Sequence, residues 1–272
     1  NRGLTLPEHI WSATANISNP KMVHEIHREY INAGAEYITT NTFRSTPRAY
    51  SKLYKNNGDI TDNIHSAKES SYKAVELAKN AATISVKVLG SIAPLEDCYI
   101  PSDYPGNKKA QLEFLELSDW FVNCGIDIFI LETMNNLPEI LTCLKVLSSY
   151  NIPVWVSLNL LDENHILSGE KISTVAQSIS QFNVSALLLN CNSIAKTDSA
   201  LDSITKSWEG EWGIYPNLGL GEPSPDGVIT NLSSIKDLIT ISKKAVDSGA
   251  TLIGGCCGSS YQHIRALSGE FK

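Results

Sequence analysis

No stretch of this sequence reaches the ~18 consecutive apolar residues that a membrane-spanning helix needs. Charge is scarce too. Charged residues make up 19% of the chain, against roughly 25% in an average domain, which points to much buried sheet. Basic residues are outnumbered and dispersed. The net charge is −7 with no basic stripe, so nucleic acid is excluded as a natural partner. Six cysteines in 272 residues are too few for a disulfide scaffold, and the protein reads as cytosolic.

What is present is a rhythm. Segments of helical period alternate with short apolar, β-rich runs. Helices are expected over 19–34, 60–81, 108–123, 137–150, 171–182, 195–208 and 233–249. Pro20 sits in the first turn of the first of these and Gly34 stops it. Strands are expected at 37–40, 85–89, 127–131, 154–158, 185–189, 212–215 and 251–253. These runs are nearly continuous in apolar residues, as strands of a parallel sheet covered on both faces should be. The alternation fits an open doubly wound sheet or a closed barrel. A (β/α)8 TIM-type barrel needs eight strands and about 250 residues, and only seven runs are found. The expectation is a single barrel domain over residues 1–272 that is incomplete at its N-terminus, with the first strand upstream of residue 1. The Gly/Pro-rich stretch 217–226 reads as a loop over the active face.

In such barrels chemistry gathers at the carboxyl ends of the strands. Those ends hold Thr40 and Thr42, Glu132, Asn159, Asn190-Cys191-Asn192, Asn217 and finally Gly254-Gly255-Cys256-Cys257-Gly258. Neighbouring cysteines make a strained disulfide, and flanking glycines let both sulfurs turn to one point. With Cys191, three thiolates at one rim suit zinc and leave a fourth position for substrate. The alternative is three buried cysteines acting as small hydrophobes. Glu132 reads as a functional carboxylate, with a solvated rim residue or a salt-bridge partner as alternatives. Thr40 and Thr42 read equally well as ordinary strand-end β-formers. Asn159 and Asn217 read first as loop caps, with ligand binding as the alternative. Lys87 lies inside its strand, so a Schiff-base lyase or aldolase finds no rim lysine.

This combination resembles the homocysteine S-methyltransferase family. The pieces that carry the resemblance are Gly34-Ala35, Ile38-Thr39-Thr40-Asn41-Thr42-Phe43, Leu131-Glu132-Thr133-Met134, Asn190-Cys191 and Gly254-Gly255-Cys256-Cys257-Gly258. The resemblance implies a (β/α)8 barrel and zinc on Cys191, Cys256 and Cys257. It implies homocysteine as acceptor, with its ammonium on Glu132 and Thr40 in the amino-acid pocket. Asn217 is kept as a third candidate substrate contact. No catalytic residue is expected beyond the zinc site. The family's Asp-Gly-Gly motif at the first strand is absent from this sequence, in keeping with the strand count. The implied reaction moves a methyl group from a small onium donor to homocysteine, giving methionine. S-methylmethionine or S-adenosylmethionine is the first expectation and betaine the second. The other class to separate is a zinc- or thiol-binding barrel without turnover.

Overall fold

The computed structural model describes residues 3–7, 10–53, 60–220 and 231–272. Seven strands form one parallel sheet in chain order. They are β1 (Tyr37–Thr39), β2 (Lys87–Ile92), β3 (Ile128–Met134), β4 (Val154–Leu158), β5 (Val184–Ser193), β6 (Glu211–Asn217) and β7 (Leu252–Ile253). The helices are α1 (Ala15–Ser18), α2 (Pro20–Asn32), α3 (Pro47–Leu53), α4 (Ile60–Ala81), α5 (Asn107–Asn123), α6 (Leu137–Leu147), α7 (Ile172–Ile179), α8 (Ile194–Ser207), α9 (Ile235–Asp247) and α10 (Tyr261–Phe271). Each strand leads through a helix to a neighbouring parallel strand, which is the wiring of a βα barrel. No described helix is long and apolar enough to cross a membrane.

Period-two alternation sorts the strand residues onto two faces. Phe129, Leu131, Val156, Leu187, Leu189 and Ile214 face outward into the layer shared with the helices. Leu89, Ile128, Ile130, Trp155, Ala186 and Leu188 form a separate cluster on the concave face. Tyr37 of β1 reaches Trp155 of β4, with ring centroids 4.8 Å apart. A sheet whose first and fourth strands touch through side chains is strongly curled. Burying Phe129, Phe114 and Phe121, which are fully enclosed, contributes about 1.5–3 kcal/mol each.

The sheet curls without closing among the described residues, because β1 and β7 are its edges. The helices do come round. α10 packs against α2, Tyr30 Oη of α2 donates to the Ser259 carbonyl at 3.3 Å, and Lys272 Nζ reaches the Gly34 carbonyl at 3.1 Å. A seven-strand half-barrel therefore sits inside a nearly complete ring of helices.

The observed strands match the apolar runs closely, with one systematic difference. β3 continues through Glu132 to Met134 and β5 through Cys191 to Ser193, where a loop was expected. Both extensions carry a register shift, between Leu131 and Met134 and between Asn190 and Ser193. The short helices α1 and α3 and the terminal helix α10 were not anticipated. Residues 221–226 of the loop expected over the active face lie outside the described residues. The described stems of that loop pair through Leu220 N–Asn231 O at 2.9 Å and Ser233 N–Leu218 O at 2.7 Å.

Gly213 lies on β6 opposite Leu252 of β7, and a Cβ there would overlap the Leu252 carbonyl oxygen. Gly213→Ala should therefore push β7 off the sheet. The expected loss is about 1–3 kcal/mol or more, read as a lower urea midpoint.

Candidate metal centre and its rim

The sequence puts two cysteines just beyond β7 and a third inside the end of β5. The β6 backbone brings them together. Cys256 N donates to the Pro216 carbonyl at 2.9 Å, and Leu218 N donates to the Cys257 carbonyl at 2.9 Å. Gly258 follows at φ +79°, a left-handed conformation that favours glycine. Cys191 has φ +55°, which is uncommon for a non-glycine residue and marks a held backbone.

The result is a cluster. The Sγ atoms of Cys191, Cys256 and Cys257 all lie within 4.8 Å of one another. Cys191 and Cys257 are 3.5 Å apart and Cys256 and Cys257 4.0 Å apart. Tetrahedral zinc with Zn–S near 2.3 Å requires sulfurs roughly 3.8 Å apart. The donor set fits a soft or borderline metal, and three ligands leave one coordination position open. All six cysteines are free.

The three thiols titrate as a unit. Hydrogen bonds from Cys191 and then Cys256 bring the Cys257 pKa down to about 4. Donating to Cys191 and Cys257, with burial added, pushes Cys256 well above the ordinary thiol value. At Cys191 the hydrogen bond from Cys256 is outweighed by donation to Cys257 and by burial, and its pKa rises to about 12.

A model of the homocysteine S-methyltransferase family matches residues 2–271. The chain belongs to that family. A homocysteine S-methyltransferase of Escherichia coli K12 is 27% identical over 98% of this chain and 89% of its own length. Homocysteine S-methyltransferase 2 of Saccharomyces cerevisiae is 24% identical over 100% and 90%. The metallated form of the Escherichia coli homocysteine methyltransferase MmuM superposes with a TM-score of 0.83 at 25% identity, over 99% of this chain and 91% of that one.

In this family member the rest of the rim is a polar chain running from β1 to β6. Thr40 Oγ1 accepts from Ser91 N at 3.1 Å and meets Thr42 Oγ1 at 2.7 Å. Thr42 Oγ1 in turn donates to the Ser91 carbonyl at 2.7 Å, so Thr40 must be the donor of that pair. The two buried threonines thus clasp Ser91, whose hydroxyl donates to the Glu132 carboxylate. Glu132 is partly buried. Burial pushes its carboxyl pKa up, against lowering by the Ser91 hydrogen bond and by Tyr215. Tyr215 Oη faces Glu132 and Ser157 but has no aligned hydrogen-bond partner. The carboxylate is therefore partly buried without a full countercharge, a state that favours either a proton or an incoming cation.

Asn190, next to Cys191, does more than precede it. Its Oδ1 accepts from Thr133 N at 2.9 Å and from Ser157 Oγ at 2.8 Å, and its Nδ2 donates to Thr133 Oγ1 at 2.8 Å. Thr133 follows Glu132 and has φ +57°, a true outlier for a β-branched residue. One amide thus fixes the strained backbone beside the carboxylate and beside a cysteine together. Asn217 is placed differently from the threonines. Its Oδ1 caps the following turn by accepting from Gly219 N at 2.7 Å. Ser91, Thr133, Asn190 and Tyr215 were not singled out as site residues in the sequence. A polar residue inside an otherwise apolar strand was the available signal.

A carboxyl whose folded pKa is raised contributes stability below its unfolded value, near ~4.3, and loses it as pH climbs through the folded value. Glu132→Gln should remove that penalty. The expected result is a Tm gain of a few degrees at pH 8, at roughly 2–4 °C per kcal/mol, and none near pH 4. Thermal denaturation at the two pH values checks it. An equal gain at both would refute the burial argument.

Proposed function

We propose that this protein transfers a methyl group from a small onium donor, S-methylmethionine or S-adenosylmethionine, to the thiol of homocysteine, with zinc held by Cys191, Cys256 and Cys257. The observation that carries the reading is one of placement. A three-sulfur cluster and a partly buried carboxylate with no ion-pair partner among the described residues stand at the same rim. An amino acid with a thiol side chain offers one partner for each. Family membership across residues 2–271 supports the acceptor. A relative known in a metallated form supports the metal.

When bound, zinc lowers the pKa of a substrate thiol, near ~8.5 when free, so that the sulfur is nucleophilic at neutral pH. The protein's own groups bind and align. Glu132 receives the ammonium, and in doing so gains the countercharge that the fold withholds. Ser91 fixes one carboxylate oxygen, and Thr40 and Thr42 fix Ser91. Thr40 therefore serves the amino-acid pocket through Ser91. Asn217 shapes the loop at the same rim. Cys191, Cys256 and Cys257 keep the local charge negative, which favours a positively charged donor. Fixing two substrates in line contributes through orientation. No protein base is required once the thiol has lost its proton.

The half-barrel inside a nearly closed helical ring also supports an eighth parallel strand between β1 and β7, completing a single barrel domain.

Purified protein should carry about one zinc per chain, and Cys256→Ser should lose both metal and activity. The assay is methionine formation from homocysteine with a panel of donors, betaine included. Full activity in metal-free wild type would overturn the zinc assignment. A metal-loaded protein inert with every donor would instead support a non-catalytic binding barrel.

A further inference from the structure

The loop after β2 contributes nothing to the chemistry proposed above, yet it is tied down along its length. Leu95 N donates to the buried Glu139 carboxylate at 2.8 Å. Arg44 Nη1 donates to the Glu96 carbonyl at 2.8 Å. Arg48 pairs with the Glu96 carboxylate at 2.8 Å and also with Glu113, and Lys52 joins the same Glu96 carboxylate. Asn135 Nδ2 donates to the Cys98 carbonyl at 3.0 Å. Tyr99 N donates to Asp97 Oδ1 at 2.8 Å. An ordinary surface connection needs no such set of anchors. What they hold in place is Tyr99, whose Oη lies 3.4 Å from Cys191 Sγ.

We propose that Tyr99 is a positioning residue of the metal centre, its phenol donating a hydrogen bond to the Cys191 thiolate. The inference rests on reading the three cysteines as metal ligands. A cysteine that binds a metal has no proton, so of the two atoms only the phenol can then donate. The bond draws charge from a sulfur that shares one divalent cation with two other thiolates, a site carrying net negative charge. It also fixes the direction of the sulfur lone pairs. Donors of this kind to a metal-bound residue are typically worth 10–100-fold in metal affinity. The two residues lie 92 positions apart in sequence, and the phenol is the loop's polar link to the cluster among the described residues.

Tyr99→Phe removes one hydroxyl from a half-exposed ring and leaves every anchor of the loop intact. Tyr104→Phe is the control. Its hydroxyl bonds Asn107 at 2.9 Å and Thr142 at 3.1 Å, so it tethers the same loop without touching sulfur. Each protein is loaded with cobalt(II) in place of zinc and read by its sulfur-to-cobalt charge-transfer band. Zinc affinity is read by competition with a chromogenic chelator. Without the hydrogen bond the thiolate is a stronger electron donor. The band of Tyr99→Phe should move to lower energy and its zinc affinity should fall roughly tenfold, while Tyr104→Phe matches wild type in both. Identical band and affinity in Tyr99→Phe and wild type would overturn the proposal. So would an equal change in Tyr104→Phe, which would reduce the effect to loop tethering. A wild-type protein that takes up no cobalt would fail the metal reading itself, and this inference with it.

Discussion

Three sulfurs have to meet at one face of a tetrahedron, and they come from strands that do not touch. Cys191 belongs to β5 and the Cys256–Cys257 pair follows β7, with β6 between them. Only a curved sheet brings the first and third of three parallel strands to one point at their carboxyl ends, since a flat one would leave them about 10 Å apart. The curl seen where Tyr37 reaches Trp155, the close approach permitted by Gly213 and the backbone bonds from β6 to both cysteines all serve that convergence. The apolar packing of the half-barrel matters to function chiefly because it sets this distance.

The second half of the site works by incompleteness. Glu132 is partly buried beside hydroxyls, and desolvation outweighs the hydrogen bonds that would hold it ionised. A fold selected for stability alone would place an arginine there or replace the acid. The cysteines show the same logic with the opposite sign. Hydrogen bonds draw the Cys257 pKa down while burial and the same bonds push its neighbour Cys256 up. Each group is unsatisfied in the way that a cationic ammonium or a metal ion would relieve, which is what the proposed function asks of them.

Much of this was legible in the sequence. Seven apolar runs gave the strands and their order, because parallel strands buried on both faces must be apolar almost throughout. The Gly-Gly-Cys-Cys-Gly run and Cys191 gave the sulfur cluster, since each falls where a run ends. The strand ends themselves were harder. Glu132, Thr133, Asn190 and Cys191 are polar or sulfur-bearing and look like loop residues, yet a single buried amide keeps them in the sheet through two register shifts. Asn217 closes a turn two residues on, as its reading as a loop cap expected, whereas Thr40 holds Ser91, 51 positions away, a contact that nothing local announces. The contact of Tyr99 could not be read locally, because nothing in the sequence says that a loop after β2 ends against a sulfur on β5.

Asn190 has both ends of its amide in use, the oxygen on Thr133 N and Ser157 and the nitrogen on Thr133 Oγ1. That leaves the position almost no chemical freedom. Aspartate has the oxygen but no donor for the threonine, leucine has neither, and glutamine is one methylene too long for a cavity packed this closely. Residue 133 is bound in turn, because the amide needs a hydroxyl there to receive it. Residues 57 apart in sequence are therefore coupled, so that losing the polar group of one leaves the other's buried and unpaired.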